Sequence, residues 1–289
     1  MIDFIRVMNS NAEILELPIK GAKNTGLIVT NVEGLGPPQA DVQLRQYTTM
    51  HGSKYQNAFI KSRNIVLTML YENVYDNDGR ITSDIENARL LSYNFFGTSK
   101  KIRIRIKTNE KDVYTDGYVE SYEPVIFSNR TGCTVSVICP DPMFYNFNDG
   151  GIKEKFFDNV QQVCQVYYEG SHPVGFEINI KFKSSINILS IETPETGKIL
   201  SLQSVSSGPS FYVNDNLKIN SEVGNKSILY NPIIFPAYWK NILGSIRINS
   251  VWPMLYPGYN EFQIYADPFI DPELYAEVTF KYKEAFEGV

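Results

Sequence analysis

The sequence predicts a mainly β protein of two domains, the first a strand-rich domain with one helix and the second a β-sandwich or jelly roll. Three observations carry that expectation. Period-2 alternation recurs along most of the 289 residues. Aromatic residues that favour pleated, half-buried surfaces are abundant, with 19 Tyr and 17 Phe. A Pro/Asn/Gly-rich stretch, "CPDPMFYNFNDGG" (Cys139 to Gly151), divides a segment that contains a helix from one that shows only short strands. The boundary is placed between residues 145 and 146, giving domains 1–145 and 146–289.

In the first domain, "EILELPI" sets Ile14 and Glu16 on one face and Leu15 and Leu17 on the other. "NIVLTMLY" is nearly all apolar and reads as a strand buried on both faces. "KIRIRIK" is the cleanest alternation in the chain, followed by "DGYVESYEPVIF" and "TGCTVSVIC". Turns are expected at "NDG", "TDG" and "SNRTG". One helix is expected in "SDIENARLLSYNFFG", with Ser83 as cap, Glu86 closing a capping box and Gly97 past the end. Its apolar stripe is Ile85, Ala88, Leu91 or Ser92, and Phe95, with Leu91 the apolar choice. Beyond the junction, strands are expected at "QVCQVYY", "FEINIKF", "INILSIET", "ILSL", "SFYVN", "KSILY", "SIRINS", "EFQIY" and "AEVTFKYK". "ETG", "SSGP", "EVGN" and "YPGYN" are the turns between them.

Several chemistries fail on residue type. "GLGPPQA" (Gly34, Leu35, Gly36, Pro37, Pro38, Gln39, Ala40) offers two glycines of a dinucleotide loop. Gln39 replaces the third glycine, Pro37 and Pro38 have no N–H to donate to phosphate, and the following "ADVQLRQY" alternates as a strand. It reads as a bend opened by glycine and stiffened by proline. "YDNDGR" lacks the first and last ligands of a calcium loop. Cys133 and Cys139 share one strand, about 20 Å apart, so they cannot bridge, and no Cys/His spacing suggests zinc. All three cysteines read as buried or idle thiols. Two histidines, His51 and His172, give a catalytic triad little to draw on. No enzyme activity, cofactor or metal is expected.

Net charge of −5 argues against a dedicated nucleic-acid binder. The first residues do not form a signal peptide, and no apolar run is long enough to span a membrane. Synthesis in the cytoplasm without export is expected. Lys101, Arg103, Arg105 and Lys107 share one strand face, about 6.6 Å apart. Such a strip is a solvated face, or else a surface that an acidic partner would relieve. The aromatic cluster "NPIIFPAYWK" is core, interface or a weak glycan site.

The order of these pieces resembles the siphophage distal tail protein (Dit) family. "GLGPPQA", "HGSKY", "RNIVLTMLY", "ENARLLSYNFF", "KIRIRIKTN", "DGYVESYEPVIFSN" and "SVICPDPMFY" follow one another as in that family's first domain. "WPMLYPGYNEFQIYA" and "AEVTFKYKEAFEGV" look like the closing strands of its second. The resemblance implies a β-sandwich or barrel-like ring-forming domain with one helix, then a galectin-like (jelly-roll) β-sandwich. It implies a homohexameric ring at the tip of a virion tail, between the tail tube protein and a tail-associated fibre or lysin protein. Receptor-binding proteins attach to the second domain, whose last strand can return to the first. The candidate interface residues are Gly34 to Pro38 and the four basic residues of the strip. A carbohydrate-binding β-sandwich that adheres to host surfaces is the alternative.

Overall fold

A computed structural model describes residues 2–19, 24–48, 50–126, 129–158, 163–203, 211–266 and 275–289. The chain forms two compact units, Met1–Asn148 with Phe286–Val289, and Asp149–Ala285. The chain therefore leaves the first unit at Asn148 and re-enters it at Phe286.

The first unit contains β1 (Ile2–Asn9), β2 (Ile14–Leu17), β3 (Leu27–Glu33), β4 (Ala40–Gln46), β5 (Ser53–Ile60) and β6 (Arg63–Tyr71). The short β7 (Val74–Tyr75) and β8 (Ile81–Ser83), the helix α1 (Ile85–Phe95), β9 (Lys101–Thr108), β10 (Asp112–Val125), β11 (Gly132–Cys139) and β12 (Phe144–Asn146) follow. The main sheet runs in the order β2-β1-β9-β10-β11-β6-β3. Its ladder is not closed. One backbone bond, from the Val29 N–H to the Pro18 carbonyl at 2.9 Å, links its two ends, so the sheet curls back on itself without becoming a closed barrel. Ile5, Val7, Leu67, Ile104, Val135 and Val137 alternate into one core. "NIVLTMLY" is buried on one face, with Ile65, Leu67 and Met69 inward and Asn64, Val66 and Thr68 outward. The other corrections in this unit concern turn chemistry. "TDG" lies inside β10, where Gly117 opposes Ile102 and a Cβ would come within 2.7 Å of the Val137 side chain. Close packing, not a turn, requires that glycine.

The helix is capped by Asp84, one residue later than expected. Its carboxylate accepts from the Asn87 N–H at 2.8 Å, while Glu86 pairs with Arg89 instead of closing a box. Ala88, Ser92 and Phe95 face the core, and Leu91 lies at its edge. Ser92 is tolerated there because its hydroxyl has partners. It donates to the Arg89 carbonyl at 2.7 Å and meets the Tyr122 hydroxyl at 2.5 Å and that of Tyr71 at 3.3 Å. Burial pushes the Tyr71 phenol up to about 12 and raises the neighbouring Cys133 thiol. Cys139 and Cys164 are likewise buried, their thiols pushed up to about 11 and about 12, so none is a thiolate near neutral pH.

The second unit holds two sheets around one core. One has the order β13 (Lys153–Phe157), β22 (Ala276–Tyr282), β15 (Glu177–Phe182), β18 (Asn216–Asn220), β19 (Ser227–Asn231), β20 (Lys240–Asn241). The other is β14 (Val163–Tyr168), β21 (Gly258–Tyr265), β16 (Ile188–Thr193), β17 (Lys198–Gln203). Phe262 of one sheet and Phe280 of the other meet at 5.3 Å between ring centroids, with Phe176 5.1 Å from Phe262. "SIRINS" forms no strand, because only Ile246 makes an isolated bridge, to Leu202. "SFYVN" is reduced to the bridge of Phe211 with Ile186. β13, β18 and β20 were not expected. The "SSGP" turn lies outside the described residues, while Gly197 and Gly224 take the left-handed conformation their turns need. The last strand, β23 (Ala285–Phe286), pairs with β12.

The cap assignment is testable by urea unfolding. Asp84→Ala should cost about 1 kcal/mol, whereas Ser83→Ala should change stability by less than about 0.5 kcal/mol.

Candidate assembly interface

β4 and β5 form a two-stranded sheet of their own. Cross-strand pairs Ala40/Ile60, Val42/Ala58 and Leu44/Tyr55 place six apolar residues on one face of this arm. Asp41/Phe59, Gln43/Asn57 and Arg45/Lys54 share the other. The apolar face is uncovered, with Leu44 58 % and Tyr55 59 % exposed. An isolated hairpin is marginal in water, and an exposed apolar stripe of this kind marks an interaction surface. The alternation of "ADVQLRQY" is legible in the sequence. That its apolar face turns away from the chain's own core is not.

The root of the arm is the bend Gly34–Pro38. Gly34 has φ +84°, and a Cβ there would sit 2.0 Å from the Asn64 carbonyl oxygen, so only glycine fits. Gly36 has open space around it. The bend turns its carbonyls, not N–H groups, toward Arg63, the first residue of β6 after the arm returns. Arg63 is 3 % exposed. Its guanidinium donates to four carbonyls: Pro142 at 2.7 Å, Gly34, Gly36 at 2.6 Å and Glu287 at 2.6 Å. The Phe144 ring lies 4.3 Å away. Burial lowers the Arg63 pKa, against the opposing influence of Cys139 and Glu287. A guanidinium keeps its proton even so. The Lys61 N–H to Gln39 carbonyl bond at 2.8 Å ties the two roots, and the Val289 N–H donates to the Leu35 carbonyl at 3.0 Å. Pro37 is exposed and Pro38 half-buried.

The basic strip lies on an interior strand of the main sheet. β9 is not an edge strand, because β1 and β10 pair with it on either side. Three of its four charges are paired within the sheet. Asp116 accepts two bonds from Arg103, at 2.6 and 3.0 Å, and lies 3.4 Å from the Lys101 ammonium. Asp112 accepts two from Arg105, at 2.7 and 2.6 Å. The guanidinium of Arg103 stacks on Tyr114 at 4.3 Å and that of Arg105 on Phe147 at 3.6 Å. The acids were visible in "DVYTD", but their pairing depends on the register of β9 with β10. Ile102, Ile104 and Ile106 point into the core as expected. Lys101 and Lys107 remain exposed.

The "NPIIFPAYWK" cluster is not core. Ile234 is 75 % and Trp239 43 % exposed on a loop between β19 and β20.

No protein-family model matches the sequence, and no curated protein does. Among solved structures, the Dit protein of phage SPP1 superposes with a TM-score of 0.65 at 12% identity, over 96% of this chain and 98% of that one. The chain has the Dit fold. That protein is described as a paradigm of the hub adsorption apparatus in phages that infect Gram-positive bacteria. Chains of the phage P2 baseplate in its activated conformation, with Ca and with Sr, give TM-scores of 0.44 and 0.42, each at 9% identity. They cover 97% and 96% of this chain and 98% and 97% of theirs. Within the Dit fold, the arm and its Arg63 root belong to the first unit.

The root and the strip can each be tested by substitution. Gly34→Ala should destabilise by ~2 kcal/mol or more, and Gly36→Ala by less than about 0.5 kcal/mol. Arg63→Leu should cost ~3 kcal/mol or more in denaturant unfolding, because several carbonyls lose their donor together. As for pH, burial alone would raise the Asp116 carboxyl, but the hydrogen bonds and charges of Arg103 and Lys101 hold it below its ordinary value. A depressed carboxylate contributes stability above its unfolded pKa, and this is lost as pH falls through the folded one. Asp116→Asn should therefore flatten the fall in thermal midpoint below about pH 4.

Proposed function

We propose that this protein is a structural hub of a phage tail tip, a ring subunit whose role is mechanical and not catalytic. The observation that carries the reading is the uncovered apolar face of the β4–β5 arm on a chain with the Dit fold. A face of this size is stable in water when the next subunit covers it. A ring built from one repeated heterologous contact must close, and six copies is the number the family resemblance implies. The arm and its bend, Gly34–Pro38, supply the contact between copies. Arg63 fixes the angle at which the arm leaves the sheet. The exposed ammonium of Lys107, which has no ion pair among the described residues, forms a second contact surface toward an acidic neighbour, beside Lys101, which is already 3.4 Å from Asp116. In this reading the ring joins the tail tube protein to the tail-associated fibre or lysin protein, and receptor-binding proteins attach to the second unit. The protein then resides at the tail tip of the virion. Among the described residues no helix is long and apolar enough to cross a membrane.

Light scattering and negative-stain microscopy of the full chain, alone and co-expressed with the tail tube and fibre proteins of its phage, test this. Six-membered rings are expected. Leu44→Lys with Tyr55→Lys should abolish rings while shifting the thermal midpoint by less than about 4 °C, as substitutions on an exposed arm do. Pro37→Ala with Pro38→Ala should weaken ring formation before stability. A chain that stays monomeric with all its tail partners, or rings that survive the charged arm, would remove the proposal.

A further inference from the structure

The outer face of the six-stranded sheet in the second unit carries a hollow of about 410 Å3. The register explains its lining. Phe156 of β13 opposes Thr279 of β22, which opposes Asn179 of β15, which opposes Lys218 of β18. One row across the sheet thus presents an aromatic ring, a hydroxyl, an amide and an ammonium. The next row offers Glu277, Lys181 and Asn216. Their neighbours in sequence, Ile178, Ile180, Leu217 and Val278, point inward to the core. Trp239 overhangs the hollow from the β19–β20 loop, with the Lys218 ammonium 5.7 Å from its ring centroid.

The Trp239 loop is built to hold its shape. Asn231, 4 % exposed, donates to the carbonyls of Phe235 at 3.2 Å, Pro236 at 3.1 Å and Tyr238 at 2.8 Å. Buried Asp215 accepts from the Ile233 N–H at 2.8 Å and from the Tyr230 hydroxyl. A loop secured from inside by two buried polar side chains presents its aromatic at low entropic cost. An aromatic that only needed shelter would have turned inward.

The geometry points to a saccharide site, binding a short run of pyranose rings between Trp239 and Phe156. Pyranoses are amphipathic. Their C–H faces pack on aromatic rings, and their hydroxyls take amide, hydroxyl, carboxylate and ammonium partners, all of which the two rows supply. Phe156 stands three strand spacings, about 14 Å, from the strand of Lys218, so the site is an open cleft, suited to a chain and not to a single enclosed sugar. Asn216 and Thr279 have no side-chain hydrogen bond among the described residues, so their polar atoms are available. Glu277 is held by Lys183 at 3.2 Å and Lys218 lies 3.6 Å from Glu177, whereas Lys181 has no ion pair among the described residues. The proposal does not rest on the ring reading, since the site belongs wholly to the second unit.

Titration calorimetry of the full chain against maltohexaose, cellohexaose, chitohexaose and a galacturonate hexamer tests it. At least one should bind with a Kd of about 1 mM or tighter. Trp239→Ala should weaken that binding about tenfold, and Phe156→Ala by a smaller factor, with the thermal midpoint of each unchanged. Tyr259→Ala, an exposed aromatic on the other sheet, should bind as the native chain does. Preference for the galacturonate hexamer that Lys181→Ala removes would identify an acidic saccharide, and equal binding of neutral chains a neutral one. No binding by any of the four, or binding indifferent to Trp239→Ala, overturns the proposal, whatever the state of the ring. Loss of contact with a tail protein in Trp239→Ala, without saccharide binding, would reassign the hollow to protein docking.

Discussion

A buried guanidinium surrounded by carbonyls holds the first unit in its working shape. Removing a charge from water is costly unless its donors are used, and Arg63 uses four of its five N–H donors on carbonyls from segments far apart in the chain. Gly34 and Gly36 come from the outgoing root of the arm, Pro142 from the loop before β12, and Glu287 from the chain's last residues. Three segments without regular ladders of their own are thereby fixed to one planar fork. Lysine could not substitute, since a point charge lacks the spread of donors that reaches all four carbonyls. The glycine at position 34 follows from the same constraint, because the carbonyl can turn to Arg63 only where the backbone passes close to Asn64.

Charge on the sheet surface is handled differently. The layer over β1, β9 and β10 interleaves Arg6, Arg103 and Arg105 with Phe4, Tyr114 and Phe147, and balances them with Glu16, Asp112 and Asp116. Individual exposed pairs contribute little. Bidentate geometry and stacked rings make this layer a connected network, so the surface is settled before any partner arrives. The arm is the reverse case, well formed in register and apolar on a face that nothing in its own unit covers.

Much of the fold was legible from alternation alone. "KIRIRIK", "TGCTVSVIC" and "AEVTFKYK" are strands where the pattern puts them, because burial on one face imposes period 2 locally. The helix was legible too, though its cap moved to Asp84, since Ser83 is engaged as the end of β8. What was not legible depends on contacts distant in sequence. Gly117 looks like a turn until Val137 and Cys139 are brought against it. Ser92 looks like the wrong choice for a core position until Tyr71 and Tyr122 supply hydroxyls. The relief of the basic strip required knowing which strand lies beside it. The argument against a phosphate loop at "GLGPPQA" is local, since Pro37 and Pro38 have no N–H to donate. The purpose of that bend could be seen only with Arg63, about 27 residues on, and Glu287, more than two hundred further.

The distance between Arg63 and Glu287, 224 positions, also sets a clock. During synthesis at about 5–20 residues per second, Arg63 leaves the ribosome roughly 10–45 s before its fourth acceptor exists. Strands β1 to β12 are all made by then, yet the arm's root lacks its last acceptor. The second unit is produced and can fold inside that interval. Until residue 287 is added, Arg63 has three of its four carbonyl acceptors, Gly34, Gly36 and Pro142, and the fourth joins only after both units have been translated.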